Sequence, residues 1–194
     1  MARIWRYITD SDHYYTLTFV NYQSDKWIID ANLRAEPIPE PFPPIAVRYE
    51  TNWKDLSPSQ RRLLRKGNLP KGDFPSLFGS EVIFSERAFQ ALWPLIQNSA
   101  QAIPLQCEDT QLYLIHVTNF VDCLDCSRSK IQWLSGFEGK IIFQVHHYEF
   151  HEEKLIGQTI FKIPQLYTLT FVSDAFKAAV EEHGLEGLLW KTLP

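Results

Sequence analysis

Period-two alternation governs this chain, and the stretches with helical spacing are few and sharply punctuated. In residues 15–20, Tyr15, Leu17 and Phe19 share one face. In residues 111–121, Tyr113, Ile115, Val117 and Val121 do the same, while His116 lies on the other face near Leu114 and Phe120. Residues 4–8, 82–84, 141–150 and 159–163 read as further strands, and residues 101–104 as a segment leading out of a helix. Ser57 caps a first helix, Pro58 suits its first turn and Gly67 ends it. Ser85 caps a second, with Glu86 in its first turn, an apolar stripe of Phe89, Leu92, Trp93 and Ile96, and Pro94 to kink or limit it. Ser173 caps the last, residues 174–183, with Phe176, Ala179 and Val180 on its apolar side and Gly184 as its stop. No regular βαβ rhythm joins these pieces. The expected fold is therefore α+β, a mixed, largely antiparallel sheet with a few packed helices. Phe89, Leu92, Phe176 and Val180 are expected to be buried where the helices meet the sheet.

The letters YTLTFV occur twice, at residues 15–20 and 167–172, with no echo around either copy. They read as two similar strands lining one aromatic sheet face rather than as a solenoid unit. Residues 36–44 read EPIPEPFPP, and five prolines in nine residues favour an extended connector. Its formal P-x-x-P, Pro41 and Pro44, reads as connector rather than as ligand. A chain of 194 residues fits one domain.

The chemistry-bearing residues are scattered. Cys123-x-x-Cys126 lacks a second knuckle, and a zinc site would have to recruit Cys107 and His116 from either side of a strand. A redox pair would need a helix after Cys126 that the pattern does not supply. Both cysteines therefore read as structure. His146, His147 and His151 form HHYEFH, a candidate cluster for a metal-dependent hydrolase, but on a segment that alternates like a strand. Arg61, Arg62 and Arg65 form a candidate nucleic-acid patch on the first helix. Against it stand a net charge of −4 and an isoelectric point near 5.9. The nucleophile-elbow, P-loop and dinucleotide glycine patterns are absent from the sequence. Three cysteines make no disulfide framework, and no apolar run marks a leader or a membrane span. A cytoplasmic protein with no cofactor is the expectation.

An ordered set of blocks resembles the eleventh family of immunity proteins from bacterial polymorphic-toxin systems. The blocks are GDFPSL from Gly72, VIFSERAFQAL from Val82, IPLQ from Ile103, LYLIHVTNFVDCLDCSRS from Leu112, IFKI from Ile160 and FVSDAFKAAVEEHGLEGLLW from Phe171. The resemblance spans roughly residues 72–190 and divides the chain into a family-like core, 72–194, and a more variable part, 1–71. In this pattern Asp122 and Asp125 carry the motif around the cysteines. Asp73, Ser85, Ser173 and Asp174 match the other blocks, with helix capping as the expected role of both serines. The resemblance implies a binder without catalytic residues, whose partner is a cognate protein toxin. It also implies that the partner-specific face lies where relatives differ, before Gly72.

Overall fold

The computed structural model describes residues 3–20, 35–42, 44–50, 69–77, 81–108, 110–139 and 141–194. The expected helix at residues 57–67, with Arg61, Arg62 and Arg65, lies outside them. In chain order the elements are β1 (Ile4–Arg6), β2 (Thr16–Phe19), β3 (Val47–Glu50), β4 (Ile83–Ser85), α1 (Glu86–Ile96), β5 (Ala100–Leu105) and β6 (Leu112–Val117). They continue with β7 (Lys130–Trp133), β8 (Ile142–His147), β9 (Ile160–Lys162), β10 (Thr170–Ser173) and α2 (Asp174–Glu182). Short 3-10 turns fall at Glu152–Leu155 and Pro164–Leu166.

The fold class is α+β, and every strand ladder is antiparallel. The strands form several small sheets rather than one: β1-β10-β9, β2-β3, β4-β6-β5 and β7-β8. The two three-stranded sheets are central, and each is buried on both faces. On β6, Ile115 and Val117 enter one apolar cluster while Leu112 and Leu114 enter another. On β10, Val172 joins the first cluster and Phe171 a third. The first cluster is covered by α1 and α2, through Ala88, Leu92, Ile96, Phe176 and Val180. The second is covered by the β2-β3 ladder, and the third by the β7-β8 hairpin. A backbone exchange welds the central sheets, with Lys162 donating to Asn119 O at 2.9 Å and Val121 donating to Lys162 O at 2.8 Å.

Leu92, Phe176 and Val180 are buried as expected, whereas Phe89 is half-buried and stacks on Tyr113 at 4.0 Å between ring centroids. Pro94 sits within α1 two residues before its end, where it limits the helix. Gly184 ends α2 in the left-handed region at φ 57, and the Leu185 N–H returns to Val180 O at 3.0 Å. Residues 101–104 belong to β5 rather than to a lead-out segment, even though Pro104 interrupts its donors. The two YTLTFV copies do not share a sheet: Thr16–Phe19 pairs with β3, and Thr170–Ser173 pairs with β1 and β9.

The proline-rich stretch is docked. Gln101 and His116 are cross-strand partners on β5 and β6. The Gln101 side chain accepts from the Ile38 N–H at 2.8 Å and donates to the Ile38 carbonyl at 2.9 Å. His116, fully buried, donates from Nε2 to the Glu36 carbonyl at 3.0 Å. A segment so poor in donors gains its pairing from two side chains of the sheet beneath it.

Burial, reinforced by the charge of Lys162, holds the His116 imidazolium below its usual range, while the bond to Glu36 opposes this. The folded state therefore prefers neutral His116, and the unfolded chain binds the extra proton near pH ~6.5. This group's contribution is full above that pH and is lost as pH falls below it. Denaturant midpoints are expected to drop between pH 7.5 and 5.5, and His116→Gln is expected to flatten that limb.

Candidate functional site

Asp73 and Ser85 are twelve residues apart in sequence and meet in the fold. Asp73 is buried between the loop after Gly72 and the start of α1. Its Oδ1 accepts the Ser85 hydroxyl at 2.8 Å, and Oδ2 accepts Arg87 Nη1 at 3.0 Å and the Glu186 N–H at 2.9 Å. The Ser85 oxygen in turn accepts the Ala88 N–H at 3.1 Å and caps α1. Arg87 spans to the end of α2, donating Nη2 to the carbonyls of His183 at 2.6 Å and Gly184 at 2.9 Å. One carboxylate and one guanidinium thus fasten the start of one helix to the end of the other. Arg87 was not singled out from sequence. A cation in the first turn opposes the helix dipole, and that misplacement was the available signal. Gly72 is held at φ 65 against Tyr14, where an added Cβ would sit 2.7 Å from the ring.

Asp125 closes a turn. Its Oδ1 accepts the Ser127 hydroxyl at 2.6 Å and the N–H groups of Ser127 at 3.0 Å and Arg128 at 3.2 Å. Ser127, then burial against it, then the turn amides set its titration, with the net effect of holding the carboxyl below its usual range. Asp122 is exposed and accepts from Gln165 at 3.2 Å. Asp174 accepts the Arg3 N–H at 3.0 Å and the Trp5 indole N–H at 2.7 Å, which pins β1 to the start of α2. Ser173 departs from expectation. It precedes α2 with extended dihedrals, but its hydroxyl makes no capping bond and is buried without a partner among the described residues. The carboxylate of Asp174, turned toward β1, takes the first-turn anion role instead.

The sulfur and imidazole groups do not converge. Cys123 is fully buried, and burial pushes its thiol up to about 12; Cys126 is exposed, and Cys107 lies in a different cluster. A redox pair needs a depressed thiol, and burial here acts in the other direction. His146 and His147 are both exposed, at a register shift in the pairing of β8 with β7. His147 engages Glu149 at 3.1 Å, and His151 lies 3.9 Å from Glu153. Among the described residues no group of three or more His, Cys, Asp or Glu side chains is placed to hold a metal ion. Among the described residues the histidines of HHYEFH are therefore not gathered into a metal-binding cluster.

Two open grooves lie among the described residues. One, of about 910 Å³, runs between β3 and the end of β5. The other, of about 400 Å³, lies between β8, the turn after Leu166 and the C-terminal segment. No helix among the described residues is long and apolar enough to cross a membrane.

The β7-β8 hairpin, the Asp125 turn, α2 and most of the lining of the second groove, Arg6 and Ile8 apart, fall in one continuous stretch of sequence. Residues 105–193 match the model of the immunity protein family Imm11. No curated protein matches the chain. The Imm11 match begins at the end of β5, so it contains Asp122, Asp125, Ser173 and Asp174 but not Asp73, Ser85 or Arg87. The Asp73–Arg87 contact therefore joins the matched half to the half before it, through the carbonyls of His183 and Gly184.

Removal of that joint has a direct cost. Asp73→Ala leaves the Ser85 hydroxyl and the Glu186 N–H without their acceptor, and charge-assisted bonds of this kind contribute ~1.5–3 kcal/mol each before relaxation. A total loss of about 2–3 kcal/mol in chemical denaturation is expected. Arg87→Ala is expected to cost less, because more than half of its side chain faces solvent.

Proposed function

We propose that this chain is an immunity protein that binds a cognate protein toxin and neutralises it without catalysis. The match of residues 105–193 to the Imm11 family carries the reading. The setting that follows is a bacterial cytoplasm, with the toxin belonging to a polymorphic toxin system. A non-catalytic inhibitor draws its energy from surface complementarity. A stable interface of this kind buries about 1,200–2,000 Å² in total, with aromatic and arginine anchors near its centre. The chain supplies 27 aromatic residues as 6 Trp, 8 Tyr and 13 Phe, and its net charge of −4 adds modest steering toward a basic partner. The motif residues fit the reading as supports of the scaffold: Asp73, Ser85, Asp125 and Asp174 each spend their oxygens on backbone or neighbouring side chains.

Co-expression with the toxin encoded beside the chain tests the reading. Growth is expected to be restored, and the two proteins are expected to co-purify as a stable complex. Protection without a complex, accompanied by turnover of a toxin product by the purified chain, would overturn it in favour of an enzyme.

A further inference from the structure

Six large apolar side chains stand exposed among the described residues: Val20, Leu95, Leu134, Phe137, Phe143 and Ile156. Three of them lie on the β7-β8 hairpin, and Phe143 is 64% exposed. The pairing of the hairpin explains why. Its register shifts between Gln132 and Trp133, and Ile142 and Val145 both point inward with two outward residues between them. Phe143 is therefore turned out of the core by the irregularity itself. It overhangs the groove of about 400 Å³, whose floor includes Ile142, Val145 and Leu169.

The charged side chains of that groove are opposite in sign to the net charge of the molecule, and Pro194 also lines it. Its lining holds two charged side chains, Arg6 and Lys191, both cationic, and no acidic one. Neither forms an ion pair with a described residue, and the chain as a whole carries −4. An apolar floor, an exposed aromatic rim and two cations match a segment that carries an acidic side chain beside an apolar one. The volume sits at the low end of the ~300–1,000 Å³ typical of small-molecule sites, which suits one or two side chains of a larger partner.

We infer that the hairpin and the groove beneath Phe143 form the docking face for the toxin, and that the toxin contributes an extended, acidic and apolar segment to it. This rests on the immunity reading above and places the partner surface mainly within residues 130–194, with Arg6 and Ile8 as the part before Gly72. Arg87 is excluded from it, being consumed by the two helix ends.

The test measures binding and protection with the toxin encoded beside this chain, in an inactive form for binding. Three variants are compared with wild type: Phe143→Ala, the pair Arg6→Glu/Lys191→Glu, and Ile156→Ala as an exposed apolar control elsewhere. Circular dichroism and thermal midpoints confirm that each is folded. The expected result is at least tenfold weaker binding for the first two and less than a twofold change for the third. If wild type binds and protects while the first two stay within twofold of it, the docking face falls and the immunity reading stands. If wild type neither binds nor protects, the immunity reading falls and this inference with it. Self-association abolished by Phe143→Ala would assign the groove to a second copy and overturn the toxin segment. A fatty anion seen bound by native mass spectrometry, and lost in the charge-reversed variant, would overturn it as well.

Discussion

Both central sheets are buried on both faces, and the rest of the molecule follows from that constraint. A three-stranded sheet buried twice needs a separate cover for each side. The helices α1 and α2 cover the side the sheets share, the β2-β3 ladder covers the far face of one, and the β7-β8 hairpin covers the far face of the other. The covers in turn need fastening. The Asp73–Arg87 pair fastens the helices, and the Gln101–His116 pair holds the proline-rich stretch. The price is polar groups in a dry interior, of which His116 and Lys162 are the plainest. Burial lowers the Lys162 ammonium to about 8, with Glu81 opposing.

This constraint also decides how much could be read from the sequence. Strand β6 was legible because Tyr113, Ile115 and Val117 alternate with Leu112, Leu114 and His116, and both sets are apolar enough to be seen. Both helices were legible through their caps and stops. Three strands were not: β3, β5 and β7. Pro104 demotes β5, yet it is tolerated because the ladder to β6 lies on one side only. Strand β7 is a short half-buried edge, Lys-Ile-Gln-Trp, whose pairing shifts twice along β8, so no clean period survives. Of the candidate site, Asp73, Ser85 and Asp125 were visible, but not that Asp73 and Ser85 touch. Tertiary pairs twelve residues apart leave no mark on local periodicity. Ser173 was misread because a serine placed just before a helix does not guarantee that its hydroxyl turns to the amides.

Of the paired cysteines that first draw attention, Cys123 thus contributes packing and Cys126 stands exposed, while Asp125 between them shapes the turn. On the proposed reading, Asp73, Ser85, Asp125 and Asp174 keep the scaffold in register, and other residues meet the partner. Phe143 and Phe137 are exposed because the hairpin is irregular and its turn is carried by Gly136 and Gly139 at positive φ. A surface made this way varies easily, since neither ring is needed by the core.

Hydrogen–deuterium exchange on the chain alone and in complex with the proposed toxin partner tests this division most directly. The account predicts slowed exchange across the β7-β8 hairpin and the C-terminal segment from Lys191. It predicts unchanged exchange at the start of α1 and in the turn closed by Asp125. Slowing centred on Asp73, Ser85 and Arg87, with the hairpin unaffected, would contradict it.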